Sequence, residues 1–402
     1  MSSRAVVAAS SSPATDQAAP PPEYATLPEK GYIPTLDGWR ALAFGSVLLS
    51  HGFVDAVRRV HAPAWLLTFI ERAGTAGVMV FFAISGFLIC TRLLSSMPDH
   101  ARGETLRVFY IRRFFRIQPP AMLYLLVIGV AAILGGYGSL VPGYFELRGW
   151  LAAILICRNY TGLMHATSHF WSLAIEEQFY LVWPVVLVLF RQRKAAWIAL
   201  AGVLAAPLIR WAEISRWSST LPLSEILERT ECRVDSFLFP CLLAILLTWP
   251  NWKSKLSFLF TPYLRVAVVL ATIVATILPY RFPQFSLLQR QLMPLLITLL
   301  VVGTTTNRGW LAKLLEWKPL RAIGRLSYSL YLWQQIIVYR PFSGLTAWQI
   351  GTEISLRLLI LAAVSIASYK FIEVPAIQFG RALAARRSRM IATPAPALAP
   401  GR

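Results

Sequence analysis

The chain has 402 residues, 56% of them hydrophobic and only 14% charged, with a formal net charge of +20. A soluble domain normally carries about 25% charged residues, so this composition excludes an ordinary soluble enzyme and points to the membrane. The basic excess is no sign of nucleic acid, because most Lys and Arg stand in short segments beside apolar runs, where they set topology and meet anionic headgroups.

Residues 1–31 are rich in Ala, Pro and Ser and read as a disordered cytoplasmic tail. The basic region and apolar core of a signal peptide are missing there. Residues 32–380 read as one membrane domain. Ten candidate spans lie near 36–57, 74–97, 118–138, 170–190, 195–212, 233–249, 262–280, 291–306, 326–343 and 350–374. Each is near the ~20 residues that cross a bilayer. The apolar piece at 150–157 is too short to cross and reads as interfacial or re-entrant. Residues 381–402, with Arg386, Arg387 and Arg389, read as a basic cytoplasmic tail. The expected fold is an all-α polytopic membrane protein of about ten transmembrane helices, with N- and C-termini cytoplasmic. That orientation puts the Arg102–Arg116 and Arg308–Arg325 clusters inside, while Arg158, Arg210 and Arg340 fall in outside loops. No internal repeat is visible, which disfavours inverted-repeat transporter folds. Cys90, Cys157, Cys232 and Cys241 lack metal-ligand spacing and read as small buried hydrophobes, so no metal site is expected.

Polar residues inside this apolar frame carry the chemistry. The first span opens Leu36-Asp37-Gly38-Trp39-Arg40 and runs to His51. Eleven residues make about three helical turns, so Arg40 and His51 share one face about 16 Å apart, with Asp37 nearly on it. Ionisable groups on one stripe of a membrane helix face protein or a water-filled cavity and mark function. A lone membrane histidine more often hydrogen-bonds between helices, but the stripe shared with Arg40 favours a catalytic His51. Asp55 at i+4 is placed to orient the His51 ring. The His-x-x-x-Asp string also occurs in soluble acyl-CoA-dependent transferases, whose folds do not suit this chain.

Arg112, Arg113 and Arg116 stand at i, i+1 and i+4 before the third span. One helical turn clusters them into a phosphate site, against the plainer reading of topology anchors. Glu176 and Glu177 open the fourth span, placed to bind acceptor hydroxyls or hold a proton; the plainer reading leaves one solvated and pairs the other with an arginine. Arg233 and Asp235 read as an ion pair of the bundle, and Glu373 as the partner of a loop arginine.

Seven strings taken in order resemble the acyltransferase-3 family of integral-membrane O-acyltransferases. They are Leu36-Asp37-Gly38-Trp39-Arg40 with His51, Phe81-Phe82-Ala83-Ile84-Ser85-Gly86-Phe87-Leu88-Ile89, Arg113-Phe114-Phe115-Arg116-Ile117 with Pro119, and Trp171-Ser172-Leu173-Ala174-Ile175-Glu176-Glu177-Gln178-Phe179-Tyr180. Arg233-Val234-Asp235, Ile323-Gly324-Arg325-Leu326-Ser327-Tyr328-Ser329-Leu330-Tyr331-Leu332-Trp333 and Phe371-Ile372-Glu373-Val374-Pro375 complete the set. Together they cover about 32–380. Two departures are visible: Pro240 stands where a Gly often follows the Arg-x-Asp string, and Gln334 replaces a histidine common after Trp333, which excludes a second catalytic histidine there.

The resemblance implies ten core spans in the bacterial cytoplasmic (inner) membrane. It implies transfer of an acyl group, often acetyl, from cytoplasmic acyl-CoA to a hydroxyl of a glycan or glycosylated acceptor. His51 matches the family's essential histidine, Arg40 its first-span arginine, Arg113 with Arg116 its Arg-x-x-Arg pair, and Glu176 with Glu177 its paired carboxylates. On that reading His51 is general base or transient acyl carrier, and Arg40 neutralises an oxyanion or a CoA phosphate. Acyl-CoA is a substrate, and no permanently bound cofactor is implied. Expected partners are acyl-CoA, the acceptor and membrane lipids, and no nucleic acid. Some members carry a fused extracytoplasmic hydrolase-like domain, for which this chain is expected to be too short. The alternatives are a transporter or flippase with a proton-linked His51, and a polymerase using lipid-linked sugars.

Overall fold

The computed structural model describes residues 32–59, 61–97, 102–134, 147–162, 165–281, 286–305, 309–338 and 345–392. The tail expected at 1–31, the last residues of the C-terminal tail, and Arg308 and Arg340 of the expected loops lie outside them. Among the described residues there is no strand. The long helices are α1 (Pro34–Gly52), α2 (Ala64–Ser96), α3 (Arg102–Ile133), α4 (Phe170–Trp217), α5 (Asp235–Leu246), α6 (Pro262–Arg281), α7 (Ser286–Gly303), α8 (Lys318–Ile337), α9 (Ala347–Ser368) and α10 (Val374–Ala392). Among the described residues, four helical stretches, Ala64–Ser96, Arg102–Ile133, Phe170–Trp217 and Trp348–Arg386, are long and apolar enough to cross a membrane, and three shorter apolar helices accompany them. The chain is thus a helical, multi-pass membrane protein.

Local signals set several boundaries. Pro34 starts α1, its missing N–H falling where a helix has no internal acceptor. Thr346 and Gln349 form a reciprocal capping box at the start of α9. Helix α4 bends at Arg191, whose φ of 58° and ψ of 169° leave the helical region, so residues on either side form two arms. The expected spans 170–190 and 195–212 are those two arms. A π-helical turn over Tyr369–Glu373 joins α9 to α10.

Two expectations change here. The basic stretch 102–117, expected as a loop, is the first half of α3, because its long side chains and Phe109, Phe114 and Phe115 suit a helix with one apolar face. The boundary expected at 380 falls inside α10, which continues past it. The short piece at Leu147–Ile154 is a separate eight-residue helix, matching the expected non-crossing segment.

Helix α1 packs between α2 and α8 at very short range. A side chain on Gly38 would strike the Leu315 backbone, and one on Gly324 of α8 would strike the Asp37 carbonyl. Across the other face, Gly77 of α2 abuts the Ala43 carbonyl and Gly74 abuts Ser50. Without lipid-excluding hydrophobic force between helices, small residues that permit close van der Waals contact are what hold a membrane bundle together. Gly86 of α2 meets the Phe237 carbonyl of α5 in the same way. An aromatic stack, Phe82–Phe237 at 4.4 Å and Phe179–Phe237 at 4.4 Å, fills the centre between α2, α4 and α5.

Gly324→Ala is expected to destabilise by about 1–3 kcal/mol through overpacking against α1, whereas Gly351→Ala, where nothing lies within 4 Å, is neutral or stabilising. Thermal unfolding of the two purified variants in detergent checks this contrast.

Candidate functional site

The antiparallel order of α1 and α2 gives the bundle two ends. One carries the start of α1, the end of α2 and the start of α3, and collects arginines. The other carries His51, the 147–169 segment and the 218–234 segment. Helix α1 bridges them, with Arg40 near one end and His51 in its last turn.

At the arginine end lies a cavity of about 480 Å³ lined by Arg40, Arg92, Arg112, Arg113, Arg116 and Arg381. Ser95, Ser96 and Thr105 add hydroxyls, and among the described residues no carboxylate lines it. A narrower space of about 90 Å³ adjoins it, sharing Arg40, Ser85, Arg113 and Arg116 and continuing inward past Glu176 to Ser172 and Tyr331. Along α2 the order is Arg92, Ser85, Val78, each step seven residues or about 10 Å, so this helix tracks the cavity from mouth to depth.

Inside, the charges are compensated. Arg40 donates to Asp37 at 2.8 Å. Asp37 is buried and also accepts from the Tyr32 hydroxyl. The Arg113 guanidinium lies 3.6 Å over the Tyr180 ring, and Glu176 and Glu177 are the opposite charges acting on it. Tyr180 donates to Ser85 at 2.7 Å, and Ser85 donates to Glu176 at 2.9 Å. Glu177 points to α3 instead, accepting from Gln118 at 3.1 Å. The plainer expectation for the two glutamates, one solvated and one ion-paired, is not what the bundle shows. At the mouth the balance differs: among the described residues Arg92, Arg112, Arg116 and Arg381 form no ion pair.

The sequence candidates therefore divide. Arg40, Arg113, Arg116 and Glu176 meet at one cavity, and Glu177 stands beside it. His51 is not among its lining residues. The inward end is closed by Tyr331, which shares a 2.5 Å hydrogen bond with Ser172 and donates to the His169 carbonyl at 3.1 Å. His169 is 1% exposed, its ring edge-on to Tyr124 at 5.2 Å and Tyr331 at 5.6 Å. Sequence reasoning passed over His169, Ser85, Tyr180 and Tyr331, although all but His169 sit inside the strings quoted above and His169 sits two residues before one. Arg92 was not singled out there, and Arg381 fell in the expected tail 381–402.

Other charged residues named above make the following contacts. Helix α1 ends at Gly52, so Asp55 sits in a separate short helix, Val54–Arg59, and pairs with Arg59 at 3.3 Å. Asp235 pairs with Arg210 of α4 at 2.8 Å, not with Arg233, which donates to the Leu227 carbonyl. Arg210, expected in an outside loop, is 5% exposed, and Arg158 is 2% exposed and bonded to Thr167 at 3.1 Å. Glu373 accepts from Ser329 at 2.8 Å and forms no ion pair among the described residues. Asp55 pairs within its own exposed helix, whereas each of the buried charges finds its partner on another element.

At the His51 end, the 147–169 and 218–234 segments are tied by Asn159–Thr230 at 3.0 Å and Tyr160–Glu231 at 2.8 Å. Between them lies a polar cavity of about 180 Å³ lined by Tyr160, Glu225, Glu228, Arg148 and Arg229. Burial pushes the Glu228 carboxyl up to about 7, with Arg233 and Arg158 opposing the shift. A raised carboxyl binds its proton more tightly in the folded state, so its stabilisation is fully present below about 4.5 and lost as pH rises through 7. Glu228→Gln is expected to flatten the fall in melting temperature over that window and to melt higher than the parent at pH 8. Melting curves of both proteins across pH 4–8 check this.

A family model described as an acyltransferase domain matches residues 33–370. Relatives include a peptidoglycan O-acetyltransferase of Listeria monocytogenes, 28% identical over 373 residues covering 86% of this chain and 56% of the relative. A putative peptidoglycan O-acetyltransferase of Bacillus subtilis is 28% identical, covering 86% of this chain and 55% of the relative. A putative O-acetyltransferase of Staphylococcus aureus is also 28% identical, covering 86% and 57%. The chain thus spans just over half the length of these relatives. No solved structure matches it.

Proposed function

The chain belongs to the acyltransferase-3 family, and we propose that it moves an acyl group, acetyl above all, from acyl-CoA to a hydroxyl of a glycan acceptor in the bacterial cytoplasmic membrane. The observation that carries the donor half is the arginine cavity: among the described residues, six guanidinium groups, no lining carboxylate, and four arginines without an ion pair. Such a site demands a polyanion, because like charges gathered at the edge of a low-dielectric bundle repel until counter-charge arrives. A nucleotide fits there with its phosphates at the mouth and its arm directed into the narrower space beside Arg40, Arg113 and Glu176. The acceptor half is supported by the relatives, which are O-acetyltransferases, two of them named for peptidoglycan. The polar cavity at the His51 end, with carboxylates and an aromatic ring, suits a hydroxylated ligand.

In this reading the acceptor hydroxyl loses its proton to His51 as its oxygen attacks the thioester carbonyl. The C–S bond then breaks, and the departing thiolate takes the proton from the imidazolium. An acyl-imidazole on His51 is the two-step variant of the same exchange. Arg40 serves the donor side. Its α-carbon lies about 16 Å from that of His51, and helical side chains lean toward the N-terminus, away from His51. The Tyr331–Ser172–His169 contacts stand at the cavity's inner end, so the thioester passes this point to meet His51. Glu176, bonded to Ser85, fixes the charge balance where the arm narrows.

Purified protein given labelled acetyl-CoA and soluble peptidoglycan fragments is expected to release free CoA. A transporter or a lipid-linked-sugar polymerase releases none. His51→Ala is expected to lower turnover at least ~100-fold while leaving acetyl-CoA affinity unchanged, since His51 stands outside the donor cavity. Near-normal turnover in that variant overturns the mechanism. Arg116→Gln should instead weaken acetyl-CoA binding about tenfold or more, read by titration on the correctly inserted protein.

A further inference from the structure

The basic mouth holds more charge than a diphosphate needs, and the surplus comes from an unexpected helix. Arg381 lies on α10, beyond residue 370 where the family match ends. The helix continues through the π-helical turn at Tyr369–Glu373, which is tied to α8 by the Glu373–Ser329 hydrogen bond, and α10 packs along α3. There Phe379 packs on Phe115 at 5.0 Å, and Gly380 lies flush against the Phe115 ring. A larger residue at 380 would hold the helix away. Arg381, with Ile377 one turn earlier on the same face, therefore enters the cavity wall. Opposite it stands Arg92, in the last turns of α2.

The arginines fall in a spatial order. Arg116 lines both the mouth and the inner space, whereas Arg92, Arg112 and Arg381 line the mouth alone, Arg112 standing one turn from Arg116 on α3. A CoA thioester has a matching chemical order: acyl arm, diphosphate, then a ribose carrying a separate phosphomonoester. Its phosphates bring about −2 from the diphosphate and about −1.5 to −2 from the monoester at pH 7. Four unpaired guanidiniums at the mouth match that total, while the diphosphate alone would leave half of them unanswered. With the arm running inward past Arg116, the diphosphate falls beside Arg116 and Arg112, and the monoester falls outermost.

We propose that Arg381 and Arg92 form a phosphomonoester subsite that reads the ribose 3′-phosphate of the donor, so that α10 makes the protein select CoA thioesters over otherwise identical nucleotides lacking that phosphate. This subsite rests on acyl-CoA being the donor. An anionic lipid headgroup presents the same phosphate chemistry, and the test separates the two.

The measurement is equilibrium binding of CoA and of dephospho-CoA to the full-length protein in phosphatidylcholine nanodiscs. The wild-type protein is expected to bind CoA about tenfold or more tightly than dephospho-CoA. Arg381→Gln should bring that ratio near one by weakening CoA alone, and Arg381→Lys should restore part of it. Arg116→Gln should weaken both nucleotides by a similar factor. If Arg381→Gln lowers both affinities equally, or neither, the subsite is overturned while the donor reading stands. If the wild-type protein binds neither nucleotide, the donor reading falls and the subsite with it. If phosphatidylglycerol nanodiscs abolish the CoA preference of the wild-type protein, the pair holds a lipid headgroup and the assignment is overturned.

Discussion

The near-contact of α1 with its two neighbours governs everything else in this bundle. Gly324 brings α8 to backbone range of α1, Gly38 does the same for α1 and the short helix Trp310–Leu315, and Gly74 and Gly77 do so for α1 and α2. In a membrane interior such approach is the main source of helix adhesion. It also has a chemical consequence. Only at that distance do Arg40 on α1, Ser85 on α2, and Ser327 and Tyr328 on α8 line one space. A bundle spaced by larger side chains would separate the first-helix arginine from the groups that share its cavity.

Charge is managed differently along the cavity. In the depth each guanidinium has an answer on the protein: Asp37 for Arg40, the Tyr180 face and the glutamates for Arg113. Leaving a buried charge unanswered costs several kcal/mol, so these pairs are a condition for folding as much as for chemistry. At the mouth, where water and headgroups lower that cost, four arginines stand without acid partners among the described residues. A fold can hold such an arrangement only near solvent, and holding it there keeps it ready for a ligand that brings the missing charge.

The two ends of the bundle are built from different material. The arginine end consists of regular helix termini, while the His51 end is capped by short helices and turns cross-bonded through Asn159, Tyr160, Thr230 and Glu231. Irregular backbone is tolerated at membrane depth only where protein or a cavity satisfies its polar groups, and the buried Arg158, bonded to Thr167 and Thr161, supplies part of that satisfaction. Polar cavities at opposite ends, with the first helix running between them, suit a reaction that takes one substrate from each side.

The sequence by itself determined the class, because composition and apolar runs report burial in lipid residue by residue. It also placed Arg40 and His51 on one helix, since helical spacing is a local property, and the ordered strings identified the family. The tertiary structure alone decided which charges meet. Asp235 finds Arg210 and not its neighbour Arg233; Asp55 falls on a separate short helix because α1 ends at Gly52; Arg381 enters the arginine-lined cavity because Gly380 lets the last helix lie against Phe115. Each outcome depends on where a second helix crosses the first, and crossing points are set by packing over the whole bundle, which no local window of residues contains.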